Sequence, residues 1–204
     1  MYLSKTPAVV QKIFKSLIWS FPVQENSIYI TFDDGPHPKI TPKVLEILED
    51  YNAKATFFCV GENVTKYPEV YRLILSNGHA VGNHTHNHLN GLKVRTSIYV
   101  DNVKQCDNHL HSNLFRPPYG KIRRSQIKQI QQTHKIIMWN VLSGDFDKKI
   151  SPKKCLNNVV KNLNPGNIIV FHDSEKAEKN MLYALTGALE QIKIKNLKAK
   201  AIVL

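Results

Sequence analysis

Seven short apolar runs, separated by segments with helical periodicity, constrain the fold of this 204-residue chain more than any other feature. The runs, which we interpret as strands, cover residues 28–32, 55–59, 79–84, 114–116, 135–139, 167–171 and 200–204. Pairs such as Thr41-Pro42 and Ser151-Pro152 supply a cap and a first-turn proline for intervening helices. Regular alternation of this kind is typical of a parallel sheet, and seven or so units favour a closed barrel. The sequence therefore predicts an α/β barrel with about seven parallel strands.

The domain organisation predicted from the sequence is simple. No internal repeat, low-complexity tract or linker divides the chain, so we expect one domain over residues 1–204. Within it, residues 1–24 are predicted to form an amphipathic helical extension. Its apolar positions recur at helical spacing at Val10, Ile13, Phe14, Leu17 and Ile18. We expect this helix to dock on the domain; the alternative is that its basic face makes peripheral contact with a membrane surface.

Net charge and the N-terminal sequence bear on partners and location. The formal net charge is +12, which favours solubility and anionic partners. The basic residues form no long arm and no aromatic-rich RNA signature accompanies them, so we expect no nucleic-acid partner. Lys12 and Lys15 interrupt the apolar run that a secretory signal requires, and no segment approaches the ~20 apolar residues of a membrane span. The expected location is therefore cytoplasmic, with membrane association through the basic helix as the alternative.

Polar side chains follow two of the predicted strands at the point where each strand ends. Asp33 and Asp34 follow the first strand, and NHTHNH places His84, His86 and His88 at the end of the third. Reactive groups of (β/α) barrels collect at the carboxyl ends of strands. The spacing leaves a choice, because i and i+4 share one face of a helical turn whereas i and i+2 share one face of a strand. If the chain is leaving the strand, His84 and His88 are the pair, and with one carboxylate they form an open site suited to zinc or a similar divalent ion.

Three further motifs follow later strands. RPPYG (residues 116–120) is explained either as a rigid loop or as part of a site, and SGDFD places Asp145 after the fifth strand. His172 ends the most apolar strand, in VFHD. A histidine at that position is expected to face the open end of the barrel.

The motifs in this order resemble those of the polysaccharide deacetylase family, also called the NodB-homology or carbohydrate esterase family 4 group. The resemblance rests on TFDDGP, H-T-x-x-H, RPPYG, an Asp-aromatic pair and a late-strand histidine, and runs from about residue 28 to the C-terminus. It implies a distorted (β/α) barrel. It also implies a metal-dependent hydrolase that removes N-acetyl groups, by cleaving the amide C–N bond, from glycans containing N-acetylglucosamine.

The resemblance also implies a role for each matching residue. Asp33 would be the general base, and the ligands of one divalent ion would be Asp34, His84 and His88. Arg116 would orient Asp33, and Tyr119, next to Pro118, would offer its backbone N–H to the oxyanion. Asp145 would pair with the general acid His172. The ion is expected to be zinc, with cobalt or another transition metal as alternatives.

Two departures from the family pattern concern the sugar groove. The fourth motif usually reads Asp-Ser-x-Asp-Trp, whereas here Leu142 replaces the leading aspartate and Phe146 the tryptophan. The substrate expected is an acetylated glycan or amino sugar. Two alternatives remain at this point: a deacetylase of a small or lipid-linked intracellular sugar, and a catalytically silent carbohydrate-binding barrel.

Overall fold

A computed structural model describes residues 2–23 and 26–204. Its strands are β1 (Ser27–Asp33), β2 (Ala55–Cys59), β3 (Ala80–Asn83), β4 (Leu114–Phe115), β5 (Lys135–Ile136), β6 (Val141–Leu142), β7 (Ile168–His172) and β8 (Lys198–Ala199). Its helices are α1 (Ala8–Ile13), α2 (Ile40–Asp50), α3 (Gly61–Lys66), α4 (Pro68–Ser76), α5 (Thr96–Asp107), α6 (Arg124–Ile130), α7 (Pro152–Val160) and α8 (Glu178–Ile194).

The sheet confirms the prediction of an α/β barrel with about seven parallel strands. Seven strands follow the order β5-β4-β3-β2-β1-β7-β6, and β8 pairs with β1 outside this path. Every pairing between these strands is parallel. The sheet curls into a half-barrel whose path ends at β5 and β6, and the carboxyl ends of the strands meet at one end, which we call the mouth.

The N-terminal segment lies against the two end strands of this path. Ile18 forms a parallel bridge to Ile137, just after β5. On the other side, the Leu142 amide donates to the Ser4 carbonyl at 2.8 Å. Leu17 and Trp19 are buried in the core. Residues 4–19 therefore span the interval between β5 and β6 and supply hydrogen-bond partners to both strands.

Several elements differ from the sequence-based predictions. The predicted N-terminal helix ends at Ile13, and residues 1 and 24 of the predicted extension lie outside the described part of the chain. The predicted helix over 64–77 is divided into α3 and α4, because Pro68 has no N–H to continue the first helix. The C-terminal strand was predicted at 200–204, but β8 consists of Lys198–Ala199. A separate β6 was not predicted. The treatment of residues 1–24 as a distinct extension stays a prediction.

The sheet positions the polar motifs at the mouth. Asp33 ends β1 and pairs with Phe58 of β2 and His172 of β7, so the ends of three strands align there. The strands themselves are almost entirely buried, which fixes their register against the surrounding helices. Within the described residues, no helix combines the length and apolar character needed to cross a bilayer.

Candidate active site

Three side chains at the mouth converge as a possible metal centre. One potential ligand atom from each of Asp34, His84 and His88 lies within 4.8 Å of the others. His88 Nε2 is 3.1 Å from Asp34 Oδ1, and His84 Nε2 is 3.9 Å from the same oxygen. His84 Nδ1 lies 2.8 Å from the Arg116 carbonyl, so it carries the proton and leaves the Nε2 lone pair free for a metal ion. Two imidazoles and one carboxylate with this convergence fit a divalent transition metal.

The middle histidine of NHTHNH points elsewhere. His86 Nδ1 is buried, and a Cβ added to Gly61 would lie 2.6 Å from it. Its ring lies against His109, with ring centroids 5.3 Å apart. The choice that the sequence left open therefore resolves geometrically toward the i, i+4 pair.

The backbone around the metal centre adopts uncommon conformations. Asp34, Thr85, His88 and Tyr119 have φ values of 84°, 63°, 53° and 59°, in the left-handed region that favours glycine. Each such non-glycine position costs about 1–2 kcal/mol. Strain of this kind is retained where the surrounding structure fixes a functional geometry.

The protonation states suit metal binding. Burial lowers the pKa of His84 to about 4, so its imidazole is neutral near neutral pH. Burial alone would raise the pKa of Asp34, but its hydrogen bond to His88 and the nearby His172 and His84 lower that pKa below the usual range. A neutral imidazole and an ionised carboxylate are the forms that coordinate metals.

Arg116 is fully buried and fixes the carboxylate of Asp33. One terminal nitrogen, Nη1, donates to Asp33 Oδ1 at 2.7 Å, and Nε and Nη2 donate to the Ile137 and Met138 carbonyls at 3.1 and 3.0 Å. The other carboxylate oxygen of Asp33, Oδ2, lies 4.0 Å from His84 Nε2. Asp33 therefore has one oxygen held by a buried cation and the other directed toward the metal centre.

On the opposite side of the mouth, Asp145 holds His172. The fully buried carboxylate of Asp145 accepts from His172 twice, with Oδ1 2.8 Å from Nδ1 and Oδ2 2.7 Å from the backbone nitrogen. Burial alone would lower the pKa of His172, but the charge and hydrogen bond of Asp145 raise it to about 10. Because Nδ1 is engaged, Nε2 is the nitrogen from which this imidazolium can give up a proton.

Aromatic side chains flank both sides of the mouth. Tyr119 lies in the short 3-10 turn of residues 118–120, is 60% exposed, and its ring centroid is 4.6 Å from that of His88. Pro118, in the same turn, is buried. Phe146 lies edge-on to His172, with ring centroids 5.2 Å apart. Each of the two exposed or half-buried rings therefore packs against a histidine of the site, Tyr119 against His88 and Phe146 against His172.

The sequence interpretation missed a buried carboxylate that braces the metal-side loop. Asp173 Oδ1 accepts from the Gly35 amide at 3.0 Å, and Oδ2 accepts from the Thr41 hydroxyl. Burial raises the pKa of Asp173 to about 8. The one signal in the sequence was its position beside His172 in VFHD.

Known proteins resemble this chain in both sequence and structure. A sequence profile described as polysaccharide deacetylase matches residues 21–136. A peptidoglycan-N-acetylglucosamine deacetylase from Bacillus cereus is 35% identical over 87% of this chain and 67% of its own length. A chitooligosaccharide deacetylase from Azorhizobium caulinodans is 34% identical over 82% of this chain and 83% of its own length. A crystal structure of a peptidoglycan N-acetylglucosamine deacetylase superposes with a TM-score of 0.86 at 33% identity, covering 95% of this chain and 93% of that one.

Proposed function

Because the chain belongs to the polysaccharide deacetylase family, we propose that it removes N-acetyl groups from glycans that contain N-acetylglucosamine, as a metal-dependent hydrolase. The observation that carries this proposal is the grouping of Asp33, the Asp34–His84–His88 centre and the Asp145–His172 pair at one mouth. These groups supply what hydrolysis of an amide requires: a base, a metal centre and an acid.

Asp34, His84 and His88 would hold the metal ion. A divalent ion bound there would polarise the acetyl carbonyl and lower the pKa of a water molecule. We propose zinc as the native ion, because one oxygen and two nitrogen donors with an open position are typical of catalytic zinc sites. Cobalt or another transition metal would suit the same donors.

Asp33 would act as the general base. Arg116 holds one of its oxygens, so the other is presented in a fixed orientation toward the place where water would attack. A base that is already oriented loses little freedom when the reaction proceeds. The backbone N–H of Tyr119 would donate to the oxyanion that forms from the acetyl carbonyl oxygen when water adds to the carbonyl carbon.

His172 would act as the general acid. An amine is a poor leaving group and needs a proton as the C–N bond breaks. Asp145 keeps the imidazole protonated by raising its pKa to about 10, and leaves Nε2 to donate that proton.

Acetate release tests the proposal directly. The purified chain would be incubated with chitooligosaccharides and with peptidoglycan, in the presence of zinc, of cobalt and of a chelator. We expect acetate from at least one of these glycans, loss of activity with the chelator, and recovery when metal is added back. No acetate from either glycan with metal present would refute a deacetylase of polymeric glycans.

The same assay separates the alternative of a small or lipid-linked acetylated sugar. Acetate released from nucleotide- or lipid-linked N-acetylglucosamine, but not from either polymer, would favour that alternative. Binding of glycans without acetate release from any substrate would favour a silent carbohydrate-binding barrel.

A further inference from the structure

Six exposed lysines lie in the segments that follow β6 and β7, and we call them the lysine rim. They are Lys148, Lys149, Lys153, Lys154, Lys176 and Lys179. They lie in the loops that follow β6 and β7 and in the first turns of α7 and α8. Since helices of such folds begin near the carboxyl ends of the preceding strands, the lysine rim lies on the His172 side of the mouth.

One rim lysine is in direct contact with an aromatic side chain of the site. Lys176 Nζ lies 5.6 Å from the ring centroid of Phe146, and that ring packs edge-on against His172. On its other side, Phe146 contacts Tyr2, with ring centroids 5.2 Å apart. The charge of Lys176 therefore lies one side chain away from the proposed general acid.

Two of the three acidic residues between the rim lysines lie close to basic side chains outside the rim. Glu178 forms an ion pair with Lys43 at 2.8 Å, and Glu175 lies 3.5 Å from His37 Nε2. Asp147 accepts from a backbone amide, that of Lys149, at 2.9 Å. Since the rim has six lysines and only three acidic residues, this side of the mouth carries a surplus of positive charge.

The position of Lys153 and Lys154 does not favour folding. Both follow Pro152 in the first turn of α7, and that turn contains no acidic residue. Positive charge at a helix N-terminus opposes the helix macrodipole, whereas carboxylates there would stabilise the helix. Where a sequence breaks a local rule in this way, a functional reason is expected.

We propose that the lysine rim binds carboxylate groups carried by the glycan next to the acetylated sugar, so that the site favours anionic over neutral glycans. This inference rests on the proposed function, because it assigns the class of glycan that the same mouth receives. Chitin-type oligosaccharides are uncharged, whereas glycan strands whose muramic acid carries no peptide have a carboxylate on alternate sugars. The rim supplies positive charge for such carboxylates where a chain crossing the mouth would extend past His172.

Binding measurements test the rim without requiring turnover. Metal-loaded protein carrying Asp33→Asn would be titrated with two oligosaccharides of equal length, one from chitin and one muramic-acid-containing. In this background we compare Lys154→Gln/Lys176→Gln with Lys161→Gln/Lys193→Gln. The second pair is a matched control, because Lys161 follows the C-terminus of α7 and Lys193 lies in the last turn of α8. Both double variants lower the net charge by the same amount.

We expect the rim variant to bind the carboxylated oligosaccharide about four- to twenty-five-fold more weakly, since each exposed charge pair is worth about two- to fivefold in affinity. The control variant should bind it as the parent does, and all three proteins should bind the neutral oligosaccharide equally. Added salt should weaken binding of the carboxylated ligand selectively. Equal affinity of the parent for both oligosaccharides, or equal weakening by the rim and control variants, would overturn the inference.

Acetate release by the unsubstituted protein is measured in parallel and separates the two proposals. A rim-dependent preference without acetate release would refute the deacetylase and leave the rim established as a binding site. Acetate release without the preference would refute the rim and leave the deacetylase.

Discussion

The two sides of the mouth are built by different physical means. The metal side depends on loop backbone, because Asp34 and His88 both have positive φ. Asp34 directly follows β1, and His88 lies in the loop that follows β3. On the acid side, His172 is the last residue of a regular strand, and a buried carboxylate sets its charge. On the metal side, backbone conformation therefore fixes the positions of the ligand atoms. On the acid side, a neighbouring charge fixes the protonation state of His172.

This difference predicts how each side responds to change. A metal centre needs ligand atoms at fixed positions, so replacing one ligand should abolish binding even when the fold is kept. An acid needs a proton at the working pH, so changing the charge beside it should alter the rate in a graded and pH-dependent manner.

The largest effect is expected from breaking the metal side. Asp34→Asn removes the carboxylate ligand with little change in size, and we expect kcat/KM for acetate release to fall about a thousandfold or more. Metal content of the purified protein, measured by elemental analysis, should fall with it, while the circular dichroism spectrum should not change.

His86→Gln is the control for this experiment. His86 lies between the two ligand histidines, but its ring packs against His109 and its Nδ1 against Gly61. The variant should retain metal and most of the activity. Loss of metal from His86→Gln at the same level as from Asp34→Asn would contradict the assignment of the ligands.

The polar residues at the strand ends could be predicted because the position of each depends on local sequence. Asp33 and His172 directly follow apolar runs, and parallel strands bring such ends together. By contrast, the bracing of Gly35 by Asp173 depends on contacts between residues 138 positions apart. No local pattern encodes such a contact.

The strands and helices whose positions were predicted wrongly are short, or their ends depend on contacts with distant parts of the chain. β6 is a two-residue strand whose pairing depends on β7 and the N-terminal segment, and apolar periodicity cannot identify so short an element. The predicted helical spacing continued to Leu17 and Ile18, but α1 ends at Ile13. Beyond it Leu17 is buried in the core and Ile18 bridges to Ile137, contacts that local periodicity cannot distinguish from those of a helix. The break before α4 could have been predicted from Pro68.

Breaking the acid side should have a graded effect. His172→Gln removes the proton donor, and we expect kcat to fall about a hundred- to ten-thousandfold.

Asp145→Asn leaves the imidazole but removes the charge that raises its pKa to about 10. A histidine with its ordinary pKa near 6.5 is about 3% protonated at pH 8, so Asp145→Asn should cost roughly thirtyfold at that pH and much less at pH 6. Both variants should bind metal as the parent does; loss of metal from either would show that the two sides are not independent.

The pH dependence of the free energy of unfolding tests the electrostatics of the acid side separately from metal binding, if it is measured on protein from which a chelator has removed the metal. The pKa of His172 is higher in the folded state than in the unfolded state, so its contribution is full below pH 6.5 and is lost as the pH rises through about 10. The pKa of Asp173 is also higher in the folded state, so its contribution to stability changes with pH in the same direction. That contribution is lost between the usual pKa near 4 and about pH 8.

Above pH 8 His172 contributes a decline with a slope of at most about 1.4 kcal/mol per pH unit. Burial also raises the pKa of the Cys59, Cys106 and Cys155 thiols, so these groups add to the decline above about pH 9. The contribution of His172 is therefore the part of the slope that Asp145→Asn removes.

Urea unfolding at pH 8, 9 and 10 measures this slope. The free energy of unfolding of the parent should decrease over this range more steeply than that of Asp145→Asn, in which the folded-state pKa of His172 is no longer raised. Parallel slopes for the two proteins would show that Asp145 does not hold the proton on His172.

The smallest effect is expected at the one place where the acid side also depends on unusual backbone. Gly144 precedes Asp145 with φ of 77°, and a Cβ there would lie 2.5 Å from the Tyr2 hydroxyl. Gly144→Ala should lower the free energy of unfolding by about 1–2 kcal/mol for the conformation alone. Displacing Tyr2 should add to that cost.

Gly78→Ala is the matched control, because Gly78 has φ of 73° but its Cβ would meet nothing closer than Lys54 at 3.7 Å. Urea unfolding should therefore show a larger loss for Gly144→Ala, and acetate release should fall less than tenfold because the Asp145–His172 pair is retained. Equal losses of stability in the two variants would show that Tyr2 does not pack on Gly144.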